Sequence, residues 1–347
     1  MKDIQFYIIV SFIFLLVLDC GKSGKAVDSA EELSLFEQVK QVPDSIVVSD
    51  IVIYNLFKHQ ILAHEGNRFD SLQIIDEVYK RHQKIWDELY AVLFDEYLFS
   101  TEQGMISWNR KIFEEKKDSI ESRVKKLMHL RFSEKLSSAL KGIEELTGRS
   151  PENIRLSIIL SPFEGIGFGG IENDAFILDL LDNNFDIVNM VEEGIPHELN
   201  HFIYDPTRQD DPHRDTPLRL IIDEGFACFY AYKYFEGEIS KAQAVEQMSQ
   251  TDWEWYLNHE KEVYKKCEPF FYYQGDEDPL RRLGQELNAP KTLFYWLGFR
   301  IIEFYVKKYG EDSWLDIYDL PVKDVLEKSG YPKYVSTLSS NHISEKN

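Results

Sequence analysis

The sequence predicts an α+β fold, mostly α, with a helical N-terminal half, a small mixed sheet and a helical C-terminal half. Three observations predict it. Apolar residues recur at spacings of three and four from about Val48 to Leu146. A β-branched alternating run, Ile154-Arg155-Leu156-Ser157-Ile158-Ile159-Leu160, then breaks that habit, and Asp174 to Leu180 reads as a second strand. Past Asn183-Asn184 the pattern is helical again to about Phe235, and further helices fit 239–264, 290–309, 311–318 and 321–329.

Each element has its own signals. Residues 29–42 read as a short acidic helix, with Ser29 as N-cap and Glu32 three residues on. Ile75, Val78, Tyr79, His82, Ile85, Trp86 and Leu89 mark one buried stripe. Ile120, Val124, Leu127 and Leu130 mark another helix, and Gly148-Arg149-Ser150-Pro151 closes the half. Gly165, Gly167, Gly169 and Gly170 cluster between the two strands. The last helix ends at Gly330 with Pro332 just beyond, and the tail from Ser336 is polar. The expected divisions are an address over 1–20, a tether and short helix over 21–45, a helical region over 46–150, a second domain over 151–335, and a tail over 336–347.

Charge narrows the partners. Against 39 Lys+Arg stand 60 Asp+Glu, a net charge of −21, so nucleic acid is not an expected partner. Three cysteines are too few for a disulfide scaffold. Residues Ile4 to Leu18 form an apolar run behind Lys2, short for a membrane span and right for the core of a signal peptide; an uncleaved anchor is the other reading. Cys20 follows at once, and Val17-Leu18-Asp19-Cys20-Gly21 resembles a bacterial lipoprotein signal, although Asp19 stands where a small residue is usual. That resemblance implies lipidation at Cys20, with Gly21 to Lys25 as a flexible tether, and an extracytoplasmic, membrane-anchored protein; plain secretion stays open. Cys228 and Cys267 are open between a pair and two buried thiols.

The informative segment is Pro196-His197-Glu198-Leu199-Asn200-His201-Phe202. Two histidines at i and i+4 share one helix face, so both imidazoles reach one Zn²⁺. Glu198 leans over the same face, where it can act as general base without being a ligand. The plain alternative is two ordinary histidines on a solvated face. A third ligand at the metzincin spacing is missing, because Tyr204 and Thr207 hold the positions that would carry Gly and the ligand. The next apolar helix, from about Leu218, carries Asp223 and Glu224, and a carboxylate there is costly to bury unless paired or bound to metal. Pairing of Glu224 with Arg219 or Lys233 is the competing reading. Gly225 and Ala227 would let this helix approach the histidine helix closely. Pro196 requires that the histidine helix either begins there or is kinked there.

His197-Glu198-Leu199-Asn200-His201 followed by Asp223-Glu224-Gly225-Phe226-Ala227 resembles the gluzincin metallopeptidases, the group of thermolysin and aminopeptidase N. More broadly, residues 70–335 resemble bacterial predicted zinc-dependent peptidases, which share a segment like Tyr295-Trp296-Leu297-Gly298-Phe299-Arg300-Ile301-Ile302. The resemblance implies a zincin-like catalytic domain over 151–335, Zn²⁺ as cofactor, His197, His201 and Glu224 as its ligands, and Glu198 as base. It implies Asp223 as an orienting group behind a histidine. The gap from His201 to Glu224 is slightly longer than in those two families, and a loop from Tyr204 to Pro217 would hold the excess. The strand from Asn173 to Leu180, with Asn173 and Ala175 foremost, would be the edge that pairs with substrate. Gly169-Gly170-Ile171-Glu172-Asn173 resembles the aminopeptidase segment whose Glu holds the substrate amine, which gives that role to Glu172. Tyr295 is the first candidate for the oxyanion donor, with Arg300, Tyr305 and His213 behind it. His59, His64, His82 and His129 read as structural or surface residues. The expected function is an exported zinc peptidase acting on peptide or protein substrates; the rival is a surface-tethered binding protein on the same scaffold without turnover.

Overall fold

Five short strands run through both halves of the chain in a computed structural model that describes residues 33–66, 68–170, 175–275, 279–290 and 292–338. The expected signal segment over 1–20, including Cys20, together with Ser29, Glu32, Glu172 and Asn173, lies outside the described residues. Among the described residues no helix is long and apolar enough to cross a membrane. The architecture is α+β and mostly helical, with one mixed sheet.

The strands are β1 (Ser45–Val48), β2 (Ile51–Asn55), β3 (Ile154–Ile159), β4 (Phe168–Gly170) and β5 (Phe176–Asp179). Their order is β1-β2-β3-β5-β4. β1 and β2 form an antiparallel hairpin in which Val48 pairs with Ile51, turning through Ser49 at φ 52°. β2 then lies parallel to β3, and β3 parallel to β5, while β4 returns antiparallel against β5.

This corrects the expectation that residues 46–150 are wholly helical. Ile46, Val47, Val48, Ile51, Val52 and Ile53 are β-branched, and such side chains fit a pleated surface better than a helix turn. β2 also shows the strand signature, buried at Ile51, Ile53 and Asn55 and half-buried between. Because β2 pairs with β3, one sheet and one hydrophobic core join the two halves.

The buried stripe from Ile75 to Leu89 is observed, with all seven predicted residues buried. Its winding is not regular α, however. Ile74–Tyr79 and Ile85–Tyr90 are π-helical, separated by a 3₁₀ turn over Lys80–His82. The helix Glu102–His129 carries the stripe of Ile120, Val124 and Leu127, and Gly148 caps the helix Phe132–Thr147 in the left-handed conformation. The first described helix is Leu35–Lys40, capped by Ser34 with Glu37 reaching back to its backbone N–H at 2.9 Å. The Ser-x-x-Glu box is thus read five residues further along than Ser29 and Glu32.

In the C-terminal half the expected helix over 239–264 is two, Lys241–Ala244 and Gln250–Cys267, split at Glu246 and Gln247, both with positive φ. Pro332 does not end the chain's helices; it sits in the first turn of a further helix, Tyr331–Thr337, where its missing N–H costs nothing. Glu260, buried in the Gln250–Cys267 helix, accepts from Arg300 at 2.9 Å and from the hydroxyls of Tyr331 and Tyr334 at 3.0 and 3.1 Å. Those bonds hold this end of the molecule onto the helix Leu293–Tyr309.

Candidate metal centre

The histidine helix spans Gly194–Tyr204, and a separate helix, Ile187–Glu192, precedes it. Pro196 is its third residue, inside the first turn, where no intrahelical N–H bond is made. The helix does not start at Pro196; the helical run is interrupted at Glu193, three residues before it, and the proline lacks the N–H that would bond the Glu192 carbonyl. Phe168 of β4 lies over this helix start; a Cβ on Gly194 would come 3.1 Å from its ring.

Glu224 sits on the helix Pro217–Tyr234, which packs beside the histidine helix. The three side chains converge. His197 Nε2 is 3.1 Å from His201 Nε2, and Glu224 Oε2 is 3.3 and 3.4 Å from those two nitrogens. A tetrahedral zinc with bonds of about 2.0–2.1 Å requires donor separations of about 3.3–3.4 Å. Two imidazole nitrogens and one carboxylate oxygen at these spacings match the donor set and geometry of a three-ligand zinc site. They are also the one cluster among the described residues in which three His, Cys, Asp or Glu side chains could hold a metal.

Electrostatics points the same way. Burial opposes charge on all three groups, yet the neighbours win. His201 is pushed well above its usual pKa by Asp223 and Glu224, and His197 is raised by Glu224 and Glu198. Glu224 is held below the usual carboxylate range by the two histidines. The pocket between the three atoms thus demands positive charge, which protons or a dication can supply.

Neighbouring groups fix the rings. The Nδ1–H of His201 donates to Asp223 Oδ1 at 3.0 Å, which leaves the Nε2 lone pair facing Glu224 and His197. Asp223 in turn accepts from Arg219 at 2.6 Å, and Arg219 also pairs with Asp205. Arg219 therefore serves Asp223 rather than Glu224, and Lys233 pairs with Glu311 at 2.6 Å. His197 Nδ1 lies 3.7 Å from the buried thiol sulfur of Cys228. Cys228 and Cys267 are both free. Cys228 and Asp223's partner Arg219 were legible as spacing: each lies one turn, i±4, from a residue of the site, on the same helix face.

Glu198 lines a cleft of about 590 Å³ that opens over His197, His201 and Glu224. Burial pushes its carboxyl up to about 7, against the pull of His197 and His201. Tyr295, in the helix Leu293–Tyr309, also lines the cleft, and its ring stacks on His197 with centroids 6.1 Å apart. Burial raises its hydroxyl well above the usual tyrosine value. Arg300, Tyr305 and His213 are elsewhere: Arg300 bonds Glu260, Tyr305 donates to Asp316 at 3.4 Å, and His213 packs on Tyr272. His64 bonds the Asn109 carbonyl at 2.9 Å, and His82 is buried, its pKa lowered to about 3 by that burial.

Two expectations about the surroundings are corrected. The strand expected at the sheet edge is β5, which is covered on both sides, by β3 and β4. Ala175 is fully buried behind it. The edge is β4, and Phe168, Gly169 and Gly170 line the cleft. The glycine cluster concealed this strand, because glycine carries no β propensity. Second, Gly225 does not face the histidine helix. It meets Gly298 of the Leu293–Tyr309 helix, where a Cβ on Gly225 would lie 2.1 Å from the Gly298 carbonyl carbon. Successive residues on a helix point about 100° apart, so Glu224 can face the histidines only if Gly225 faces elsewhere.

Residues 155–327 match the family described as "Predicted Zn-dependent protease (DUF2268)". The chain is thus similar to a family of predicted zinc proteases over the segment that carries β3, β4, β5, the histidine helix, Glu224 and Tyr295. No curated protein and no solved structure matches it. The family match supports protease function and zinc dependence in general terms. It starts after β1 and β2, so the hairpin that completes the sheet lies outside the matched residues.

Proposed function

We propose that the protein is a gluzincin-type zinc peptidase with a zincin-like catalytic region, exported and tethered to a membrane through Cys20. The observation that carries this reading is the triangle of His197 Nε2, His201 Nε2 and Glu224 Oε2, with edges of 3.1–3.4 Å, beside the cleft carboxylate of Glu198. Bound at that triangle, Zn²⁺ would supply Lewis acidity to a peptide carbonyl and lower the pKa of a water toward about 7.

The chain's own groups do the rest. Glu198 accepts a proton from the attacking water as its oxygen bonds the carbonyl carbon. It then delivers that proton to the amide nitrogen as the C–N bond breaks, giving a carboxylic acid and an amine, and the acid's proton passes to the amine to leave a carboxylate and an ammonium. The Tyr295 hydroxyl donates to the oxygen on which negative charge develops. Asp223 holds His201 in the tautomer that leaves Nε2 free. An extended substrate pairs with the open edge of β4, which takes the role first expected of the Asn173 and Ala175 strand.

The test is Glu198→Gln. It should retain one equivalent of zinc by elemental analysis and lose at least 100-fold in turnover of a mixed peptide library. Wild-type turnover in that variant, or no zinc in the purified wild-type protein, would overturn the reading.

A further inference from the structure

The cleft carries more negative charge than hydrolysis requires. Among the described residues no lysine or arginine lines it. Of its carboxylates, Glu198 and Glu224 belong to the proposed chemistry, and Asp223 and Asp205 share Arg219. Glu246, Glu193 and Glu88 remain, and none of them has an ion pair or side-chain hydrogen bond among the described residues. Glu88 is exposed, whereas Glu193 and Glu246 are partly enclosed.

Glu246 is the most telling of the three. It stands in the break between the helices Lys241–Ala244 and Gln250–Cys267, next to fully buried Val245. Glu246 and Gln247 are consecutive non-glycine residues at φ 53° and 54°, a conformation that side chains seldom adopt. The segment is fixed from both sides: Ser240 caps the first helix, Ser249 the second, and the Gln247 side chain accepts from Asn189 at 3.1 Å. The result leaves Glu246 lining the same cleft as His197, His201 and Glu224, with no partner of its own among the described residues. Burial raises its pKa, so the enclosure disfavours the bare charge. An unpaired, enclosed carboxylate is costly, and a bound cation removes that cost.

We propose that Glu246 is a specificity-determining residue that binds a cationic group of the substrate, an ammonium or guanidinium, beside the scissile bond. This rests on the peptidase reading above and names the substrate class for it. The cation has two possible sources with the same chemistry, the free α-amine of a peptide or a Lys or Arg side chain.

The experiment measures binding apart from turnover. Zinc-loaded Glu198→Gln protein is titrated with matched peptides: N-acetylated and neutral, the same with a free amine, acetylated with one lysine scanned through each position, and acetylated with acetyl-lysine there. A cationic member should bind about tenfold tighter than its neutral match, the scale of one charge-assisted hydrogen bond. Whether the free amine or the lysine gives the gain assigns the source. Adding Glu246→Gln should bring the ratio toward 1, and Glu246→Lys should reverse it. Equal binding of cationic and neutral peptides overturns the proposal without any variant, and so does a preference that survives Glu246→Gln. Turnover of the same peptides by the wild-type protein is read separately. Cationic preference without turnover would sink the peptidase reading alone, and turnover without preference would sink this one alone.

Discussion

His201 is held at both ends, by Asp223 behind it and by Glu224 and His197 in front. Removing the support should cost metal before it costs fold. Asp223→Ala is expected to weaken zinc affinity by about 10–100-fold, measured by competition with a chromophoric chelator. Unchanged affinity would mean that Asp223 does not orient the ring. A second buried acid behaves differently. Asp179 accepts backbone N–H bonds from Ser161 and Leu181 at 3.2 and 2.9 Å, yet burial raises its pKa to about 7 from an ordinary 3.8. The folded chain therefore binds a proton there between about pH 4 and 7 that the unfolded chain does not, so this group's contribution to stability falls as pH rises through that window. Asn keeps an acceptor for the two N–H groups and has no charge to bury. The melting temperature of Asp179→Asn relative to wild type should therefore rise from pH 4.5 to pH 8. A pH-independent difference would count against the shift.

At the scale of elements, two helices cross where neither has a side chain. Gly225 and Gly298 meet backbone to backbone, and a Cβ on Gly298 would lie 1.8 Å from the Ile221 carbonyl oxygen. Backbone cannot give way as the end of a side chain can. Gly298→Ala should lower stability by about 1–3 kcal/mol or more, seen as a lower denaturant midpoint. It should also reduce activity by more than the stability loss explains, because the same helix carries Tyr295 and its neighbour carries Glu224. The edge strand gives a second element-scale expectation. β4 ends in Gly169 and Gly170, with Gly169 at φ 151°. If its open edge takes the substrate backbone, N-methylation of the substrate amides, scanned one position at a time, should raise KM at least several-fold at the positions that pair, because each methyl group removes a donor from that ladder. An unchanged KM would place the substrate elsewhere.

At the scale of the whole molecule, a bound metal would be coupled to stability. The candidate ligands come from two helices, so zinc bound there would tie the histidine helix to the Glu224 helix. A ligand in thousandfold excess over its Kd stabilises by about 4 kcal/mol. Chelation should lower the melting temperature, and Glu224→Ala should abolish most of that difference; identical melting with and without chelator would argue against a structural stake in the metal.

Features that depend only on neighbours along one helix can be read without the fold. His197, Glu198 and His201 were legible because i and i+4 share a face, and the buried stripe from Ile75 to Leu89 was legible because burial follows helical periodicity. Asp223 and Glu224 were legible as acids in an apolar run, since burying charge demands a partner. Tertiary structure alone decided which strand forms the edge, which face Gly225 turns to its neighbour, and that Glu246, at a break between two helices, lines the cleft of His197, His201 and Glu224. Those depend on packing between segments far apart in the chain. No local period records that β5 is covered by β4, or that Gly298 waits opposite Gly225.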